Sequence, residues 1–167
     1  MNQSSLDNLK SLLPEFYQAI GETLIMISVS SAVGIIVGGL LGIWLYTTAH
    51  GQIFANRPVH RTLGTLVSFM RSFPFVILMI VVMPLTRAIV GTSFGPLAAS
   101  VSLSIAASFY FARLVEQNLA EVPKGVVEAA LAMGAKPMTI ITKVLLNEAR
   151  AGLVRSIAIL IIATLGT

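Results

Sequence analysis

The 167-residue sequence predicts an all-α protein, a polytopic bundle of transmembrane helices. Apolar residues make up 56% of the chain and charged residues 11%, against roughly a quarter charged in a soluble domain. A soluble chain of this size needs far more polar surface to cover its core, and lipid as outer solvent removes that need. No charged residue occurs between Glu22 and Arg57, or between Arg87 and Arg113. Both runs exceed the roughly 20 apolar residues that cross a hydrocarbon core. The cations lie mostly between apolar segments, facing anionic head groups, and no basic run points to nucleic acid. Cysteine is absent, so no disulfide frame, metal knuckle or thiol chemistry is expected. The start does not read as a cleavable signal peptide, since no cation precedes Lys10 and the first apolar run is too long.

Residues 1–20 are expected to form an amphipathic segment at the outer membrane face, distinct from a transmembrane body over residues 21–167. Leu6, Leu9, Leu13, Phe16 and Ile20 recur at helical spacing and share one face. Ser4 with Asp7 suits a helix start, and Pro14 is expected to bend the segment. Span one is placed at Thr23 to Tyr46, with Glu22 as a dipole-stabilised charge at its amino end. Within it Ser30, Gly34, Gly38 and Gly42 repeat every fourth residue, a stripe that lets two helix backbones approach closely. Trp44 and Tyr46 are assigned to the membrane interface.

Span two is expected to begin near Leu63 and run through Arg71, Pro74 and Pro84 to about Thr86, with neighbours satisfying the carbonyls that the prolines free. Arg71 costs about 2.5–3.5 kcal/mol at the bilayer centre. It therefore either snorkels to the cytoplasmic head groups or meets the carboxylate of a transiting solute. Residues 91–96 make the next turn. Span three covers Pro96 to about Ala112 and carries Ser100, Ser104 and Ser108 on one stripe. Those hydroxyls have two readings, a polar wall along a translocation path or close packing with each bonded to its own helix's carbonyl.

The stretch from Arg113 to Arg155 is the most polar, with four acidic and six basic residues. Pro123 suits a helix start, Gly134 a stop and Pro137 a second start, giving two short helices. A last apolar run from Ser156 to Thr167 begins a fourth span, which the sequence leaves incomplete. Nine cations lie in or beside the two polar loops, against Lys10 and Arg87 on the other side. That bias predicts cytoplasmic loops and an amino terminus outside. His50 and His60 are too far apart for a one-face metal pair, and the scattered Met residues read as gap-filling core. No phosphate-binding loop, nucleophile–base pair or metal-ligand spacing occurs, so an intramembrane enzyme is disfavoured.

The helix from Val127 to Gly134 has small residues over most of its surface, so a partner protein can approach its backbone at Ala129, Ala130 and Gly134. Glu128 offers an acceptor for a partner arginine, and Val126, Val127 and Leu131 an apolar edge. By composition alone the first reading is an Ala-rich connector packed under its own bundle, since Ala is the best helix former. Glu128-Ala129-Ala130 followed by Gly134 resembles the coupling motif of type I ABC-importer permeases. That pattern continues with an aliphatic residue, any residue, Leu and Pro; here stand Val144, Leu145, Leu146 and Asn147, with Asn147 in place of proline. Arg71 to Phe75, Thr86 to Thr92, Ala112 to Glu116 and Glu128 to Glu148 resemble the methionine-uptake branch.

This resemblance implies an inner-membrane permease of a bacterial ATP-driven importer for a small amino acid, methionine of either hand first. Another small polar amino acid, or a truncated non-transporting scaffold, are the alternatives. It implies a homodimer, two copies of a partner ATPase that holds the ATP and Mg, and an external substrate-binding lipoprotein. The coupling segment, residues 116–155, would be cytoplasmic, and Glu128, Ala129, Ala130 and Gly134 would dock the ATPase. The family's permeases continue beyond this point into a further span, so the sequence is expected to be truncated before its last span.

Overall fold

A computed structural model describes the backbone of residues 3–166 and the side chains of residues 13–166. The expected apolar positions Leu6 and Leu9 and the Ser4–Asp7 cap lie outside the described side chains, and Thr167 lies outside the described residues. The elements in order are α1 (Gln3–Thr47), α2 (Arg57–Ser72), α3 (Phe75–Val90), α4 (Pro96–Ala120) and α5 (Lys124–Ala132). A second short helical stretch follows, made of α6 (Pro137–Thr139), a π-helical turn (Ile140–Leu145) and α7 (Leu146–Glu148), and then α8 (Arg150–Leu165).

Among the described residues two helices are long and apolar enough to cross a membrane, Leu13–Thr47 within α1 and all of α4. The first passes unbroken through Pro14 and through the boundary expected after residue 20. Glu22 therefore sits well inside α1, not at an amino end, and its Oε1 accepts from Gln18 Nε2 at 3.0 Å. Near the end of α1, Tyr46 is buried in the core while Trp44 is exposed.

The stripe of small residues explains how α1 and α4 pack. A Cβ on Gly34 would fall 2.8 Å from Ala107 Cβ, and one on Gly42 would fall 2.6 Å from Val115 Cβ. At Gly38 it would collide with the Ser108 carbonyl oxygen. The contacts step together from Ser30 against Ser100 to Gly42 against Val115, so α1 and α4 run in the same direction. Close backbone approach supplies dispersion where lipid offers no hydrophobic drive between helices. Residues 91–95 turn the chain into α4, with Gly91 at φ 81° capping α3 through its N–H to the Arg87 carbonyl.

The single second span expected from Leu63 to Thr86 is replaced by two helices. α2 and α3 meet at an angle of 111° across Phe73 and Pro74. Phe73 is extended (φ −77°, ψ 131°) because the proline ring excludes the helical region from the residue before it. Pro74 itself takes ψ 137°, and the rings of Phe69 and Phe73 meet edge to face at 4.8 Å at the end of α2. Pro84, by contrast, is carried inside α3 without a break. α3 then runs antiparallel to α4: Phe75 and Leu78 share a cavity with Leu103 and Tyr110, and Thr86 shares one with Ala98 and Ser102. α8 is also antiparallel to α4, with Gly152 against Asn118 and Leu160 near Ala107.

Candidate functional site: the coupling segment and the cavity above it

Because α1 and α4 are parallel, both their carboxyl ends, and the loops that follow, lie on one side of the bundle. From the end of α4 the chain enters α5 at Pro123, whose fixed φ of −58° suits a helix start. The helix ends where Gly134 adopts φ +76°. There the Ala135 N–H donates to the Ala130 carbonyl at 3.1 Å and the Gly134 N–H to the Leu131 carbonyl at 2.9 Å. These two bonds are the Schellman closure, and they require a left-handed residue that only glycine supplies without strain.

α5 thus has an inner and an outer face. Ala130 is 3% exposed and joins a core with Leu119, Val122, Ile140, Ile141, Leu145 and Ala149. It packs inward, so among the four residues expected to present a docking surface Ala130 is the exception. Glu128 and Ala129 are exposed, as is Gly134. The outward apolar edge is formed by Leu131, 50% exposed, and by Met133, 81% exposed; Met138, at the start of the second short helix, is 70% exposed. Val127 instead packs against the core. Sequence reasoning alone misses Met133 and Met138; their signal is a large apolar residue beside the helix stop, in a stretch too polar to face lipid.

Behind α5 the second short helix widens into a π-turn, where the Leu146 N–H reaches back five residues to the Ile141 carbonyl. Single π-turns interrupt helices most often at functional sites. The stretch ends at Ala149 without the proline of the family pattern, and Asn147 continues the helix as part of α7. α8 is tied back onto α4 through Asn118, whose Nδ2 donates to Ser156 Oγ at 2.7 Å and to the Leu114 carbonyl at 2.6 Å. A Cβ on Gly152 would run into the Asn118 side chain, so glycine there leaves room for Asn118 between α4 and α8. Arg113 pairs with Glu116 one turn above.

Ser100, Ser104 and Ser108 are all buried. Their hydroxyls donate to the carbonyls of Pro96, Ser100 and Ser104 respectively, each four residues back, at 2.6–2.8 Å. Ser30 of α1 adds a donor to the Ser100 carbonyl at 3.2 Å. The stripe has the geometry of the packing alternative, lying along the α4 face that meets α1.

Arg71 lies elsewhere, in the last turn of α2, with its guanidinium carbon 5.4 Å from the centre of the Tyr110 ring. Tyr110 is three residues before Arg113, so Arg71 stands at the inner edge of the uncharged part of α4. Both residues line a cavity of about 300 Å³ shared by α2, α3, α4 and α8. Among the described residues no group of His, Asp or Glu is placed to hold a metal ion. His60 Nδ1 is instead 3.0 Å from the Leu45 carbonyl oxygen.

A parallel helix pair crossed by antiparallel neighbours, with a two-faced helix on the loop after α4, is the architecture of a polytopic membrane bundle. The chain belongs to the binding-protein-dependent transport system inner membrane component family, whose model matches residues 34–167. It is 49% identical over 149 residues to the D-methionine transport system permease protein MetI of Yersinia pestis. The MetI protein of Escherichia coli K12 is 46% identical over the same length. Each alignment covers 89% of this chain and 69% of the relative. A solved structure of the MetNI methionine ABC transporter in inward-facing conformations superposes with a TM-score of 0.90 at 42% identity, covering 99% of this chain and 74% of that one.

Proposed function

We propose that this chain is the membrane-spanning permease subunit of an ATP-driven importer that carries methionine across the bacterial inner membrane. It works as a homodimer with two copies of an ATPase subunit, and hydrolysis takes place on that partner with its ATP and Mg. The relatives named as D-methionine permeases and the superposition on a methionine ABC transporter support the substrate and the partner. An external substrate-binding lipoprotein completes the system by delivering methionine to the outer face.

The single observation that carries the mechanism is the two-faced α5. Its inner face is welded to the ends of α4 and the second short helix through Ala130. Its outer face offers Glu128, Ala129, Leu131, Met133 and Gly134 to a partner. A docked ATPase that closes on ATP therefore moves the buried side of α5 along with it, and the membrane helices follow. That is a coupling free energy between nucleotide state and cavity access, with no bond made or broken in this chain.

The loops at 48–56 and 116–155 face the cytoplasm and the amino terminus faces outward; the cation bias supports this orientation. α1 has 45 residues, about 68 Å of helix against a hydrocarbon core of about 30 Å. This length supports assigning residues 3–20 to the outer membrane face. In a pull-down from detergent, the wild-type chain should retain its ATPase subunit. Glu128→Arg should weaken retention about tenfold or more, the scale of a reversed charge at an interface. Equal retention by both would overturn the docking assignment.

A further inference from the structure

Arg71 has no ion-pair partner among the described residues, where Arg113–Glu116 is the one pair. Its guanidinium carbon lies 5.4 Å from the centre of the Tyr110 ring, within cation–π range. The donors of a guanidinium point outward in its own plane. The side chain is exposed and lines the cavity, so those donors are within reach of a solute there. The rest of the cavity near Arg71 is apolar or aromatic, from Met70, Phe73, Phe75, Leu103 and Leu160. No acidic residue lines it. A volume of about 300 Å³ is at the lower end of small-ligand pockets, which run from about 300 to 1,000 Å³.

We propose that this cavity is a substrate station within the permease, where the in-plane edge of the Arg71 guanidinium, held by Tyr110, binds the carboxylate of an amino acid whose apolar side chain lies against Phe73 and Phe75. A carboxylate is the planar anion that such an edge holds through two parallel bonds. The missing counter-acid makes the carboxylate, not the ammonium group, the charged group that is read. One charged contact and one apolar contact do not fix the hand of a chiral centre, so the station accepts both enantiomers. This assignment rests on the transport reading above and adds to it the site and chemistry of recognition.

The test exploits the absence of cysteine from the chain. In the detergent-purified permease–ATPase complex carrying Ala106→Cys, a cavity-lining position outside the proposed contacts, modification by N-ethylmaleimide is timed with L-methionine, D-methionine or L-methioninamide present. Both methionines should slow labelling about tenfold at saturation, and the amide, which lacks the anion, should slow it less than twofold; one charge-assisted contact accounts for a difference of this size. Protection should vanish in Ala106→Cys with Arg71→Met and return in part with Arg71→Lys, which keeps the charge without the fork. Equal protection by acid and amide, no protection by either, or full protection in Arg71→Met each overturns the proposal. If the Arg71→Met complex does not assemble, the acid-against-amide comparison in Ala106→Cys alone decides the matter. Failure of ATPase docking appears separately, as lost co-purification with the protection pattern intact.

Discussion

Gly38 and Ser104 sit on the same α1–α4 seam but respond to substitution in opposite ways. At Gly38 the obstacle is a backbone carbonyl of α4, which cannot rotate away as a side chain can. Gly38→Val should cost about 1–3 kcal/mol by overpacking and lower the detergent melting temperature by roughly 5 °C. Thermal unfolding followed by helical circular dichroism checks this, and an unchanged midpoint would refute the close seam. The three serine hydroxyls bond within their own helix, so replacing Ser100, Ser104 and Ser108 together by Ala removes few interhelical contacts. The triple variant should keep methionine uptake within about twofold of wild type, since interhelical hydrogen bonds in lipid average only about 0.6 kcal/mol. A severe uptake defect in assembled protein would restore the translocation-path role. The spacing of the glycines already disclosed the seam, because a four-residue repeat places side chains on one face whatever the partner. The same argument left the serines open, since a polar stripe looks identical whether it meets water or a helix.

Among the elements, the corner between α2 and α3 departs most from the sequence expectation. Hydropathy reads residues 63–86 as one span because it sums side-chain transfer energies and is blind to backbone direction. Pro74 and Pro84 look alike in that sum. Phe73 is extended before Pro74 and the chain turns there, whereas α3 absorbs Pro84. Replacing Pro74 by Ala should let the two helices become collinear. Spin labels on cysteines introduced at Leu66 and Ile80 would then move towards the separation of a continuous helix, about 21 Å between Cα atoms. Double electron–electron resonance reads that distance, and an unaltered value would place the cause of the bend in packing rather than in the proline. α5 shows the reverse case. Its start at Pro123 and stop at Gly134 were legible because capping is local chemistry. Which side of it faces inward was not, since a helix rich in Ala carries little amphipathic signal, and Ala130 turned out to be core.

For the whole molecule, parallel α1 and α4 force the loops after them to one side. A cysteine introduced at Lys136 should therefore react with a membrane-impermeant maleimide in inside-out vesicles and not in intact spheroplasts. Labelling in spheroplasts would invert the orientation and remove the docking role of α5. The cation count and the helix directions are independent arguments, one from the energetics of insertion and one from packing, and both put the loops at 48–56 and 116–155 together. Hydropathy, small-residue periodicity and capping residues were enough to determine the class, the order of the apolar segments and the bounds of α5. Each is a property of one segment in its solvent. The 111° corner, the inward turn of Ala130, the burial of the serine stripe against α1 and the approach of Arg71 to Tyr110 were decided only by tertiary structure. Each depends on which remote segment lies opposite, or on how a local bend is completed by packing, and a one-dimensional pattern carries neither.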